Sequence, residues 1–253
     1  MEATSSRDQF NKQAALYATS AVHRCGPSLP VLVEMARPEP VDLVLDVATG
    51  TGNTALTLAP QVSKVIGLDV ASAMLDQARA RAAAENVRNV EFAPGSAEEL
   101  PFANDEFSLV VSRHAPHHFH RLDKFLGEVR RVLRPDGRFV LADQISPSDQ
   151  LADWVDRWER TRDPSHFRQR TTAEWRELAE AAGFSWIRDQ LVQYELPFDW
   201  WVKQAGCKDA TVRELQQLAR GADAVVRQEM GIKFNELGQV QSFLEPMLVA
   251  RME

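Results

Sequence analysis

Apolar residues alternate between two periods along the first half of the chain. Leu43, Val44, Leu45 and Val47 form a nearly continuous apolar run, the pattern of a strand covered on both faces. Lys64–Asp69, Val90–Ala93, Phe107–Ser112 and Arg138–Asp143 read as further strands. Helical spacing separates them. One helix is predicted from about Asn53 to Ala59, and a second runs to Ala84 with Ser72 as its N-cap. A third, Leu122–Leu133, places Leu122, Phe125, Leu126, Val129, Val132 and Leu133 on one face. Arg134-Pro135-Asp136-Gly137 has the chemistry of a turn. This alternation predicts an α/β fold with a parallel sheet and right-handed crossovers.

The second half is less periodic. Pro147–Thr161 reads as a helix with Trp154 and Trp158 on one face, and Thr171–Glu174 reads as a capping box for a helix ending at Gly183. Residues 185–196 suggest a strand, 198–230 helices, and Ser242–Met252 a final strand; residues 10–36 suggest helices before the sheet. No Ser/Gly/Pro-rich linker and no internal repeat divides the chain. A single domain over 1–253 is expected, with a helical lid at 1–40, a cofactor-binding core at 41–145, and substrate-side helices and final strands at 146–253.

Composition narrows the function classes. Of the 253 residues 44% are hydrophobic, enough for a large core. The formal net charge of −7 argues against a nucleic-acid surface, which needs cations for phosphates. Cys25 and Cys207 are too few for a disulfide framework or a thiolate metal site. No apolar stretch is long enough to span a bilayer, and the N-terminus lacks the apolar core of a signal peptide. A cytoplasmic enzyme without stable membrane insertion is the expectation.

The most informative segment is Val41–Gly52, an apolar strand, an acid (Asp46) and a small-residue loop. Gly50-Thr51-Gly52-Asn53-Thr54-Ala55 fits the dinucleotide fingerprint G-x-G-x-x-[G/A], and Asp69 lies where a ribose-binding acid belongs. Asp46 discriminates between cofactors. A carboxylate at the strand end repels a pyrophosphate and attracts a ligand bearing an ammonium and a sulfonium. S-adenosylmethionine (SAM), leaving as S-adenosylhomocysteine, is therefore favoured over NAD. An NAD-dependent oxidoreductase and a SAM-binding protein without methyl-transfer activity stay open as alternatives.

The segments VLDVATGTG (44–52), VIGLDVASAML (65–75), GSAEELPF (95–102), FSLVVSRHAPHHF (107–119) and EVRRVLRPDGRFVLAD (128–143) together resemble class I SAM-dependent methyltransferases, of the type in ubiquinone and menaquinone biosynthesis and in many small-molecule methyltransferases. The resemblance implies a Rossmann-like, doubly wound, mostly parallel seven-stranded sheet with an antiparallel last strand, an N-terminal helical lid and a helical insertion in the C-terminal half. It implies that Asp46, Ala48, Thr49, Gly50 and Gly52 surround the methionine part of SAM. Asp69 would accept from the ribose hydroxyls, Val70 and Met74 would pack on adenine, and Gly95, Ser96 and Ala97 would meet its edge. Arg113 would lie beneath the cofactor, and Tyr17 would belong to the lid. The sequence departs from the family where Ala48 replaces a frequent glycine and Ser96 a frequent aspartate.

Four of the six histidines fall in His114–His120, after the fourth strand. Pro116 and the short turn would splay them apart, so no metal site is expected. His117 is the leading candidate for a general base that deprotonates the acceptor, with Asp143 to orient it or bind substrate. His118, beside Phe119, fits a loop-bracing role and is the second candidate. Trp154, Trp158, Trp186, Trp200 and Trp201 suggest aromatic pocket walls, hence an aromatic or apolar small-molecule acceptor, and the Asp163–His166 loop is a further candidate for the site. The atom methylated (O, C or N) is not legible, and a homodimer is compatible with the sequence.

Overall fold

The structure is a computed structural model that describes residues 6–19 and 26–253; within the first helix it describes the side chains of 7–14. Tyr17 therefore enters as backbone only, and His23 and Cys25 lie outside the described residues.

Two helices, α1 (Ser6–Thr19) and α2 (Ser28–Ala36), precede the sheet. The core then alternates as predicted: β1 (Leu43–Val47), α3 (Asn53–Leu58), β2 (Lys64–Asp69), α4 (Ser72–Ala84), β3 (Val90–Pro94), β4 (Phe107–Arg113), α5 (Leu122–Val132) and β5 (Leu133–Gln144). The C-terminal half contributes α6 (Ala152–Arg162), α7 (Thr172–Ala181), β6 (Trp186–Pro197), α8 (Phe198–Gln204), α9 (Asp209–Gly221), α10 (Ala224–Glu229), β7 (Lys233–Phe234) and β8 (Val240–Met252). The strand order is β3-β2-β1-β4-β5-β8-β6, with the two-residue β7 paired to β8 off this path. Strands β1 to β5 pair in parallel, whereas β8 is antiparallel to both β5 and β6. The architecture is the Rossmann-like α/β class, with β7 added to the seven strands of the main path.

The chain winds from β1 outward to β2 and β3 and then returns to the other side of β1 at β4. Ligands of such sheets bind where the winding reverses, at the carboxyl ends of the strands. Both faces are sealed to hold that edge in place. Leu45, Val110, Phe139 and Leu248 pack on one face under Phe125, Leu126 and Val129 of α5. Val44, Val111, Val140 and Val249 pack on the other under Leu32 and Met35 of α2 and Leu58 of α3.

Three expectations are corrected. The predicted turn at Arg134–Gly137 is a bulge within β5: Phe107 pairs with Leu133 and Leu109 with Arg138, so the extra residues loop out without breaking the strand. Ser72 is the first residue of α4, not its cap; Ala71 holds that position with no side-chain bond. The tryptophans do not wall the cavity. Trp158 stacks on Trp154 at 5.1 Å and on Trp201 at 5.0 Å, and Trp200 packs against the same core cluster. Trp186 pairs with Met252, at the opposite end of the sheet from the β5–β8 residues at the site. The capping box forms: the Thr171 hydroxyl accepts from Glu174 N and the Glu174 carboxylate from Thr171 N.

Candidate active site at the sheet edge

A cavity of about 280 Å³ opens at the carboxyl ends of β1, β2 and β4. Its floor is the Ala48–Gly52 loop, which has positive φ at Ala48 (56°), Gly50 (54°) and Gly52 (79°). An alanine in the left-handed region costs roughly 1–2 kcal/mol, so the loop keeps its path at Ala48 at some conformational cost. The three family-type glycines do different work. Gly50 lines the cavity, and a Cβ there would meet nothing within 4 Å, which leaves its backbone open to a ligand. Gly52 does not line it; it precedes α3, and a Cβ would come within 3.1 Å of Ala78 and Phe92. Gly95 also lies off the cavity wall, where a Cβ would meet Leu68 at 2.5 Å. Both glycines permit close packing behind the site.

Two carboxylates flank the loop. Asp46 is the penultimate residue of β1, and its Oδ2 accepts from the Thr49 hydroxyl at 2.6 Å and from Ala55 N at 3.1 Å. Burial pushes its pKa up to about 7, against the opposing pull of these bonds and of Arg113. Asp69 ends β2; its Oδ2 accepts from Gly50 N at 2.8 Å and its Oδ1 from Ala71 N at 2.9 Å. Burial raises its pKa as well. Asp69 thus braces the loop, and each carboxylate oxygen retains a second lone pair for a ligand hydroxyl.

The cavity wall also includes Ala48, Thr49, Val70, Met74, Ser96, Ala97 and Arg113 from the expected set. Arg113 Nε donates to the Ser28 hydroxyl at 3.0 Å, which fixes it against α2. Residues not singled out from sequence are Phe10, Thr51, Asn53, Thr54, Glu98, His114, Ala115, Phe119 and His120. Most belong to segments already recognised as motifs. Phe10 comes from α1, within the segment expected from the resemblance to form the lid, though the residue itself was not assigned a contact.

The histidine turn separates its two central rings. Pro116–His118 form a 3₁₀ turn, and the carbonyl of His117 accepts from Phe167 N and Arg168 N, both at 3.0 Å. His118 lines the cavity. Its Nδ1 lies 3.0 Å from the Ser165 carbonyl, which can only accept, so Nδ1 carries the proton and Nε2 the lone pair. Phe10 meets the His118 ring edge-on at 4.9 Å. His117 lies off the cavity wall, with Nδ1 2.7 Å from Asp143 Oδ1. This reverses the order expected from sequence: His118 is the ring beside the ligand space, and His117 stands behind it. Asp143 is likewise one layer back. The ring centroids of His117 and His118 are 4.2 Å apart.

Burial governs protonation at this turn. It lowers His117 well below the ordinary histidine value and takes His118 down to about 3, with a neighbouring histidine adding to the effect in each case. It pushes Asp143 up to about 8. The Asp143–His117 pair therefore keeps one proton, on Asp143, through neutral pH. A carboxyl whose folded pKa is raised gives stability below its unfolded value, 3.8, and loses it as pH rises through about 8. Asp143→Asn, which mimics the protonated form, is expected to raise Tm relative to wild type at pH 9 but much less at pH 5.5. Thermal melts at both pH values check this; an equal shift at each would contradict it.

Comparison with known proteins identifies the family. Residues 44–137 match a family described as a methyltransferase domain. YcgJ, an uncharacterized methyltransferase of Bacillus subtilis, is 34% identical over 235 residues, spanning 92% of this chain and 93% of that protein. The crystal structure of YcgJ superposes with a TM-score of 0.86 at 33% identity, over 89% of this chain and 97% of the other. A demethylmenaquinone methyltransferase of Symbiobacterium thermophilum is 38% identical over 112 residues, 43% of this chain and 45% of that one. The chain belongs to the class I SAM-dependent methyltransferases. That membership is of an enzyme class that uses SAM, and not of the NAD-dependent oxidoreductases.

Proposed function

We propose that the protein transfers the methyl group of SAM to a small-molecule acceptor, at oxygen, carbon or nitrogen, with SAM seated in the cavity between Asp46 and Asp69. The observation that carries this reading is the pairing of those two carboxylates at adjacent strand ends, on either side of the exposed Gly50 backbone, in one cavity. The residues fit a cationic nucleoside. Asp69 would accept from the ribose hydroxyls, Asp46 would face the amino end, and Val70, Met74, Ser96 and Ala97 would surround the adenine. Arg113 lies close enough to Asp46 to influence its charge, and would balance the amino-acid carboxylate.

SAM supplies an activated methyl group on a sulfonium leaving group, so the protein's own contribution is mainly alignment and exclusion of water. His118 would accept a hydrogen bond from the acceptor through Nε2 and take its proton as the acceptor becomes acidic on methylation. His117 and Asp143 would hold the turn behind it. With the tryptophans committed to the core, the aromatic side chains on the cavity wall among the described residues are Phe10, Phe119 and the histidine rings.

Asp46 makes cofactor affinity pH-dependent. Below about 7 its carboxyl is protonated and has no charge to offer an ammonium; above that it is ionised. S-adenosylhomocysteine is therefore expected to bind about tenfold more tightly at pH 7.5 than at pH 5.5, with the dependence flattened in Asp46→Asn. Calorimetric titration across that range tests it; identical profiles for the two proteins would remove Asp46 from the reading.

A further inference from the structure

We propose that Asp163 is a positioning residue for the reaction: acting through Ser165, it fixes His118 in the tautomer that keeps a lone pair on Nε2. The inference rests on the methyltransferase reading above. A residue before proline is driven out of the helical region. Asp163, which precedes Pro164, is accordingly extended at φ −127° and ψ 102°, and α6 ends at Arg162. Asp163 N still donates to the Glu159 carbonyl at 2.7 Å, so its backbone stays tied to the helix. Its side chain serves the loop: Oδ1 accepts from Ser165 N at 2.9 Å and from Ser165 Oγ at 2.7 Å. The far end of the loop is held by the bonds from Phe167 N and Arg168 N to the His117 carbonyl.

Ser165 passes this constraint to the ring. Its carbonyl oxygen lies 3.0 Å and its Oγ 3.3 Å from His118 Nδ1. The hydroxyl proton is committed to Asp163, so both Ser165 oxygens present lone pairs to that nitrogen and select Nδ1–H. Without Asp163 the hydroxyl could rotate and donate to Nδ1. That would favour the opposite tautomer, whose protonated Nε2 cannot accept a proton from a substrate. Asp163, Ser165 and His118 are all buried, which leaves water little room to take over the hydroxyl's partner.

Three clustered histidines each have a carboxylate. His117 Nδ1 lies 2.7 Å from Asp143 and His166 Nε2 2.9 Å from Asp156, both directly, whereas His118 reaches Asp163 through Ser165. Of the three, His118 is the one on the cavity wall. As the acceptor–methyl bond forms and the sulfur–methyl bond breaks, the acceptor's proton passes to His118 Nε2. Both ring nitrogens then donate, and Nδ1 already has its acceptors. Net charge in the site is unchanged, because the sulfonium is neutralised as the imidazolium forms, and Asp163 takes no proton. Burial pushes the Asp163 carboxyl up, but His118, Arg162 and the Ser165 bonds bring it below its ordinary value, so it is ionised at neutral pH. Burial and the His117 ring make His118 harder to protonate; Asp163 and the bond to the Ser165 carbonyl oppose them.

Nitrogen-15 NMR of the imidazole rings reads the tautomer directly, in protein saturated with S-adenosylhomocysteine at pH 7.5. The His118 signals are assigned by their loss in His118→Ala. Wild type is expected to show Nδ1–H. Asp163→Ala should give a mixture with Nε2–H, and kcat for an acceptor that wild type methylates should fall about tenfold, less than for loss of the ring. Asp163→Asn keeps an oxygen for the two Ser165 bonds, so it should restore the Nδ1–H form and hold kcat within about threefold of wild type. S-adenosylhomocysteine affinity should stay within about twofold in both variants. If Asp163→Ala does not fold, Asp163→Leu, which fills the same space, carries the same expectation. Nε2–H in wild type, an unchanged Nδ1–H signal without the carboxylate, or an Asp163→Asn spectrum as mixed as that of Asp163→Ala would overturn the proposal. Wild type that binds no S-adenosylhomocysteine strikes the methyltransferase reading instead, and spectra of the unliganded proteins then still decide for or against Asp163.

Discussion

Asp69→Ala is expected to weaken S-adenosylhomocysteine binding about a hundredfold. The two ribose hydroxyls would donate to a single buried carboxylate, and a hydrogen bond to a charged acceptor contributes about 1.5–3 kcal/mol. Losing both contacts costs at least ~3 kcal/mol, or roughly two orders of magnitude in affinity. The substitution also removes the acceptor for Gly50 N and Ala71 N, which loosens the loop that forms the cavity floor. Asp69→Asn separates these effects. It keeps one acceptor oxygen and near-native shape, so its loss should be smaller than that of Asp69→Ala. Calorimetry reads both, and unchanged affinity in Asp69→Ala would reject the ribose assignment.

The second large effect separates two adjacent histidines. His118→Ala is expected to lower kcat about a hundredfold, the usual scale for loss of a positioned proton acceptor, with S-adenosylhomocysteine affinity changed only a fewfold. Because burial holds His118 near a pKa of about 3, it is neutral throughout the working range. The wild-type pH–rate profile should therefore show no limb from this histidine between pH 5 and 8. His117→Ala should act on stability instead, since it strips Asp143 of the partner 2.7 Å away inside the protein. Leaving a neutral buried hydrogen-bonding group without its partner costs roughly 1–3 kcal/mol, seen as a drop in Tm. The measurements are kcat with an acceptor that wild type turns over, and thermal melts. A kinetic loss confined to His117→Ala would exchange the roles of the two histidines.

Much of the frame was legible because buried parallel strands and amphipathic helices leave local signatures. The run Leu43–Val47 and the spacing of Leu122, Phe125, Leu126, Val129 and Val132 mark β1 and α5 unambiguously. The glycine loop and Asp69 could be placed because strand ends in such a sheet converge on one edge. What escaped depended on distant partners. A glycine needed for packing, such as Gly52 or Gly95, has the same letter as one that faces a ligand, such as Gly50. The order of His117 and His118 is set by the Ser165 carbonyl, 47 residues from His118, and a backbone carbonyl has no signature in sequence. Trp158 and Trp201 could equally have lined a pocket; only their mutual stacking commits them to the core. Arg134–Gly137 suit a turn and a bulge equally well by residue type, and only the pairing of Phe107 with Leu133 decides for the bulge.

Everything proposed for the cofactor depends on SAM occupying the cavity at the ends of β1, β2 and β4. A crystal structure of the protein grown with S-adenosylhomocysteine is the decisive measurement. The ligand is predicted to lie in this cavity with its ribose hydroxyls on Asp69, its amino end toward Asp46 and its sulfur on the side of His118. Density for the ligand elsewhere on the molecule, or in this cavity with the ribose away from Asp69, would contradict that placement.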